Sequence, residues 1–305
     1  MLKPQPIGIA SAVAALLISF LWGGNIVSIR VGLASLPPIW SAFWRMLAGI
    51  TFVILWARWR GIPILPQPAE RMPLVILGFL FTAQIALLNI GTSLTSPGFA
   101  VVILNAYSVF ANLTGHLASK YSKSHIHEEP LTGIRILGLT LAVAGVAWLA
   151  LGTPDPALAP HPLAGNLVIV TSSLLLGIRQ IYTRWLVQSI HPVRSVVWQM
   201  GISIPLFLAG AALTEPPTSG PLRWEAVAAI FYQGVVVAGI CFIAWAELLK
   251  KHAAGTLSMF AFLVPICGVF LSSQVFSEAV PPTLFAGTAL VLTGVFVVVR
   301  LGQSG

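Results

Sequence analysis

Stretches without a charged side chain, each about as long as a bilayer is thick, take up most of this chain: residues 4 to 29, 72 to 119, 136 to 154, 195 to 214, 226 to 246, 253 to 277 and 279 to 299. An apolar helix needs about 20 residues to cross a hydrocarbon core of about 30 Å. The run from 72 to 119 must therefore hold two crossings, and Ser96-Pro97-Gly98 supplies the turn between them. Only 8% of the residues are charged, against about 25% in a soluble domain, so no soluble surface can be assembled from this chain. The pattern predicts an all-α polytopic membrane protein with ten transmembrane helices at 7 to 29, 38 to 58, 72 to 94, 99 to 119, 132 to 151, 163 to 186, 193 to 213, 225 to 249, 256 to 276 and 282 to 300. The first run is far longer than the core of a cleaved signal peptide, and nine further spans follow it.

Sixteen basic residues set the orientation. With the amino terminus inside, twelve of them fall in cytoplasmic segments: Lys3; Arg58, Arg60 and Arg71; Lys120, Lys123 and Arg135; Arg184 and Arg194; Lys250 and Lys251; and Arg300. The opposite side receives Arg30 and Arg223, and Arg45 and Arg179 lie within spans. Because Lys and Arg in short loops decide topology, both termini are expected in the cytoplasm of a cell-membrane protein. The net charge of +8 is accounted for in this way, and no basic cluster outside the short loops suggests nucleic acid.

The two halves repeat each other. An offset of 154 residues lays Pro38-Ile-Trp-Ser-Ala-Phe-Trp-Arg-Met46 on Pro192-Val-Arg-Ser-Val-Val-Trp-Gln-Met200, and pairs Ser19 with Ser173, Gly23 with Gly177 and Arg30 with Arg184. Beyond an apparent insertion around Ser122 to Glu129, Gly138 and Gly145 match Gly287 and Gly294. The division falls between residues 1–152 and 153–305, five spans in each. Five is odd, so the second copy enters the membrane from the other side, and a binding site is expected near the midplane between inverted repeats.

Trp22-Gly23-Gly24-Asn25 in the first span, Arg45 in the second, and paired five-helix repeats ending in glycine-spaced helices resemble the drug/metabolite transporter superfamily, in particular its EamA-like ten-helix exporters. The resemblance covers essentially the whole chain. It implies a basket of ten helices around a central cavity, alternating access, and export of amino acids or related metabolites; exporters of other metabolites or of drugs are the neighbouring reading.

Polar groups within a bilayer normally face a cavity or another helix. On the fourth span Asn105, Ser108, Asn112 and Gly115/His116 recur at helical spacing, a face suited either to lining a cavity or to hydrogen bonding between helices. Gln233, Cys241 and Trp245 make a second stripe, and Trp245 would serve equally in an interfacial belt. Asn25 could hold a carboxylate or amine, and Trp22 and Tyr107 could stack on an aromatic ligand. Gln84 is preferred over Asn89 as a cavity residue, because the two point about 140° apart. Arg45 lies about 10 Å past Pro38, deep enough to bind a ligand and shallow enough to snorkel outward. Arg179, with Tyr182 and Thr183 on nearly the same face, could offer a guanidinium fork to a carboxylate or anchor at the interface beside Arg184.

Absences narrow the chemistry. Of the eight acidic residues only Glu247 falls clearly within a span, beside Lys250 and Lys251 at ion-pair spacing. No mid-membrane carboxylate is left to bind a cation or relay protons, so the substrate is expected to be zwitterionic, anionic or neutral. This differs from the small multidrug branch of the superfamily, with its membrane-embedded glutamate. Cys241 and Cys267 show no metal-ligand spacing, the His125/His127/Glu128/Glu129 cluster reads as a solvated loop, and no nucleophile elbow, P-loop or zinc helix occurs. No cofactor, metal or enzymatic activity is expected. The partners are the bilayer and a small molecule, with amino acids the leading class and Trp22, Tyr107 and Tyr182 favouring aromatic or neutral ones. A membrane-embedded enzyme, a receptor and a scaffold are the other readings. A small-residue face at Gly138, Ala142 and Gly145 could pack within one chain or between two, leaving monomer and homodimer both open.

Overall fold

The computed structural model describes residues 7–121, 133–252, 260 and 263–300, and all regular structure among them is helical. The first half contains α1 (Ile9–Gly32), α2 (Pro38–Trp59), α3 (Pro68–Leu94), α4 (Pro97–Asn105), α5 (Tyr107–Tyr121) and α6 (Gly133–Ala150). The second contains α7 (Pro162–Leu186), α8 (Pro192–Thr214), α9 (Trp224–Phe231), a π-helix (Tyr232–Cys241), α10 (Phe242–Lys251), α11 (Leu263–Phe276) and α12 (Pro282–Arg300). Six helices begin on a proline, at 38, 68, 97, 162, 192 and 282. Proline is suited to that position because the first N–H of a helix has no partner to lose.

Among the described residues seven spans are long and apolar enough to cross a membrane, and three shorter apolar helices, Ile136–Ala150, Leu263–Phe276 and Pro282–Val297, occupy the other expected positions. Part of the ninth expected span, and the His125–Glu129 loop, lie outside the described residues. Large apolar side chains point outward, among them Phe285 at 71% and Phe231 at 60% exposure. Such a surface is stable only against lipid.

Two spans depart from the single straight helices expected. The fourth breaks at Ala106, between α4 and α5, where the Ala106 N–H bonds the carbonyl of Ile103 rather than the one four residues back. The Asn105 amide meanwhile donates to Val101 O at 2.7 Å. The eighth widens into ten residues of π-helix. The widening lies against α2, and a Cβ built on Gly234 would stand 2.5 Å from the carbonyl oxygen of Arg45 and 3.0 Å from Gly49 N. Only glycine permits this approach.

The packing respects an exchange of halves. The α2–α8 and α6–α12 contacts map onto themselves, α3–α8 maps onto α2 against the π-helix, and α5–α7 maps onto α1–α11. The α6–α12 seam settles how the small-residue face is used, since a Cβ on Gly294 would collide with Ala142, and one on Gly145 would stand 2.9 Å from Val291, all within one chain.

The loop carboxylates close the ends of the bundle. Glu215 accepts the free N–H groups of Ile39 and Trp40 at the start of α2, at 2.9 and 3.1 Å. Glu278 accepts Gly98 N at 3.0 Å and Ser96 Oγ at 2.5 Å at the start of α4, and also binds Ser272 Oγ. Glu70 caps α3 and receives Arg194 at 2.6 Å, tying the first half to the second.

Candidate functional site

Two spans in each half bring one arginine and one amide together. Arg45 Nη2 on α2 donates to Asn25 Oδ1 on α1 at 3.4 Å, and Arg179 Nη1 on α7 donates to Gln199 Oε1 on α8 at 3.4 Å. The offset of 154 carries Asn25 onto Arg179 and Arg45 onto Gln199. The same pair is thus built twice, with the two residue types exchanged between the helices.

Burial is severe. Arg45 is 1% exposed, Gln199 4% and Arg179 9%, so Arg45 is held inside the protein and does not snorkel to the surface. Arg45 Nε and Nη1 and Arg179 Nε are buried without an acceptor. Arg179 lies over the Phe81 ring, 5.0 Å from its centroid. Arg45 stands on α2 and Gln199 on α8, two helices that pack against each other. Among the described residues neither arginine touches a carboxylate: Glu70, Glu215 and Glu278 are engaged at the ends of helices. A buried cation bonded to a single neutral amide oxygen is poorly compensated. Its free N–H groups are available to an acceptor that brings negative charge.

Aromatic rings pack one helical turn from Asn25. Trp22 lies 4.9 Å from Trp245 and 6.3 Å from Phe242, centroid to centroid, so α10 of the second half meets α1 here. Trp245 thus packs on Trp22 of the first half, and the Trp22 Nε1–H is buried without an acceptor.

Other residues singled out from the sequence lie apart or are otherwise engaged. Gln84 is locked to α7, its Nε2 donating to Ser172 Oγ at 3.2 Å while Ser172 donates to its carbonyl at 2.9 Å; its Oε1 stays unpaired, one turn from Phe81. Asn89, on the other side of α3, is equally buried. Asn105 and Ser108 bond carbonyls of their own segment, and the break at Ala106 divides their stripe. Tyr182 donates to Pro73 O at 3.1 Å and packs with Leu74, Leu77, Leu186 and Ile190. The side chains of Asn112, His116, Lys250 and Lys251 lie outside the described residues. Gln199 was not among the expected site residues, although the overlay of the halves already placed it on Arg45. Gln233, a member of the second stripe, donates to Ser28 O at 3.0 Å and keeps an unpaired Oε1.

Two pockets are apolar. The larger, about 460 Å³, is lined by Ile50, Phe79, Val197, Trp198, Gly201, Ile202, Pro205 and Leu206, and the smaller, about 220 Å³, lies between α5, α6 and α7. Neither contains an expected site residue.

A helical bundle with an exposed apolar rim and buried arginine–amide pairs has the construction of a multi-pass membrane protein. The chain belongs to the EamA-like transporter family, whose profile matches residues 9–151 and 163–300. It is similar to the "Probable amino-acid metabolite efflux pump" of Escherichia coli (strain K12), at 26% identity over 301 residues covering 93% of each chain. It also resembles the "Uncharacterized transporter YoaV" of Bacillus subtilis (strain 168), at 20% identity over 282 residues covering 92% of this chain and 93% of that one. A solved crystal structure shares the fold, with a TM-score of 0.68 and 19% identity over 96% of this chain and 99% of that one. Family and relatives mark a transporter and not an enzyme.

Proposed function

We propose that this protein is a secondary transporter that exports small carboxylate-bearing metabolites, with amino acids and their close relatives the leading class, by alternating access around the Arg45–Asn25 and Arg179–Gln199 pairs. The observation that carries the reading is the duplicated, desolvated pair with unpaired guanidinium N–H groups, one in each half of the chain. Inverted halves that rock against each other would expose such a centre first to one side and then to the other. The efflux relatives support the outward direction. The distribution of Lys and Arg supports an inner or plasma membrane location with both termini in the cytoplasm. Trp22 and Trp245 supply an apolar wall beside the charged centre.

The test is counterflow in liposomes preloaded with a pool of amino acids and small carboxylic acids. Saturable exchange of at least one component, reduced by Asn25→Ala in protein that still elutes as a folded species, is expected. Absence of exchange for every component in folded protein would remove the transport reading.

A further inference from the structure

We infer that the two arginine–amide pairs act as one anion-binding centre and that the transported molecule is net-anionic: a metabolite with two acidic groups, carboxylate or phosphoryl, or an amino acid relative whose amine carries no charge. The inference rests on the transport reading and adds to it the charge of the substrate. Counting charges at the centre gives two guanidinium groups and, among the described residues, no carboxylate in contact with either. Three of their nitrogen atoms are buried with no acceptor. The protein oxygens that do meet them are the amide oxygens of Asn25 and Gln199, each at a long 3.4 Å.

A neutral amino acid suits this centre badly. Its carboxylate would balance one guanidinium, while its ammonium would add a third positive charge to an interior that already buries two. Ammonium needs an acceptor, preferably charged, and among the described residues the oxygens that meet the arginines, Asn25 Oδ1 and Gln199 Oε1, are neutral and already engaged. A molecule with two anionic groups meets the opposite condition, because each group accepts from one guanidinium in the fork geometry that arginine favours.

The duplication strengthens the argument. Arg45 belongs to the first half and Arg179 to the second, so a doubly acidic molecule holds both halves at once. Rocking one half against the other would change its contacts at both ends. Arg179 also lies over the Phe81 ring, 5.0 Å from its centroid, a contact that holds the guanidinium without neutralising it. The Trp22–Trp245 contact, one helical turn from Asn25, offers apolar surface to a hydrocarbon portion beside the acids.

The experiment uses the full-length protein in two parallel assays, the thermal unfolding midpoint in detergent and counterflow in liposomes. The probes are succinate, glutamate, inorganic phosphate, phenylalanine and potassium chloride, all at one ionic strength. Succinate, glutamate or phosphate should raise the midpoint and at least one should exchange, whereas phenylalanine and chloride should do neither. Arg45→Gln and Arg179→Gln should each weaken the response to the effective acid by about tenfold or more, since each removes charge-assisted hydrogen bonds. Arg45→Lys, which keeps charge without the fork, should fall between the wild type and Arg45→Gln. The wild-type comparison decides the matter even if a variant fails to fold. Exchange of phenylalanine without any response to the acids would overturn the net-anion inference and leave the transporter standing. Arginine-dependent stabilisation by the acids with no exchange would uphold the anion centre and remove the transport reading. Stabilisation by chloride equal to that by the acids would overturn the inference, because a halide would then satisfy the pair.

Discussion

Glu278 shows how much one side chain can decide. Its carboxylate is 4% exposed and binds Ser96 Oγ, Gly98 N and Ser272 Oγ, so it fastens the end of α11 to the start of α4. The preceding Ser277 takes φ of 53°, a left-handed conformation that a non-glycine residue adopts only under constraint. Replacing Glu278 with Gln keeps the shape and removes the charge. Loss of the charge-assisted bonds should cost about 1–3 kcal/mol, seen as a lower unfolding midpoint in detergent, and an unchanged midpoint would show that shape alone is enough. Position in the sequence put Glu278 at the edge of a loop, and nothing local announced that three groups from two other parts of the bundle's rim converge on it. Arg45 and Arg179 were conspicuous for the opposite reason: arginine within an apolar run costs about 2.5–3.5 kcal/mol on insertion scales, and that cost points to a partner or a ligand. Their amide partners were half visible. Asn25 is conspicuous beside two glycines, and Gln199 is marked in the sequence only by its place opposite Arg45 in the overlay of the halves, its pairing with Arg179 coming from the assembled helices.

Among the elements, the π-helix and the break at Ala106 are the features that periodicity did not foresee. A stripe counted at 100° per residue presupposes an unbroken α-helix. Through Tyr232–Cys241 each hydrogen bond spans one residue more than in an α-helix, so Gln233, Cys241 and Trp245 no longer follow the count. The Gly234 contact with α2 gives this segment a testable role. Gly234→Ala would push a Cβ against the Arg45 carbonyl, and such overpacking should cost about 1–3 kcal/mol, whereas Gly201→Ala, whose Cβ would meet only Ile50 at 3.4 Å, should be tolerated. Equal unfolding midpoints for the two variants would contradict the close-approach account. At the start of α2, Glu215→Ala strips acceptors from two helix-terminal N–H groups and should lower stability by about 1 kcal/mol, measured by the same midpoint.

At the scale of the molecule, the two halves are held together by packing and by few charges. Arg194 Nη1 donates to both carboxylate oxygens of Glu70 across the halves at 2.6 Å, with side chains only 10% and 11% exposed. Removing one partner strands the other, so Arg194→Ala should cost about 3–5 kcal/mol. The double replacement of Arg194 and Glu70 by alanine should cost less than the sum of the single ones; strict additivity in a double-mutant cycle would show that the pair is not coupled. Orientation is tested by fusions: alkaline phosphatase joined after Glu215 should be active outside the cytoplasm, and joined after Arg300 inactive. The reverse pattern would invert the topology read from Lys and Arg.

Span positions, their antiparallel succession and the duplication of the halves follow from the chain read in one dimension, because hydrophobic length, loop charge and an odd number of spans are properties of sequence order alone. Those regularities locate α1–α12 to within a few residues wherever the helices are described. What met inside the bundle was decided by tertiary structure. Helical spacing tells which side chains share a face of one helix, and it does not tell which faces of two helices meet. The 3.4 Å pairs of Asn25 with Arg45 and of Arg179 with Gln199, the bonds of Gln84 to Ser172 and of Tyr182 to Pro73, and the burial of Glu278 against Ser96 and Gly98 all depend on separate helices being pressed together. In the absence of water each polar group there takes whichever partner that packing brings within reach.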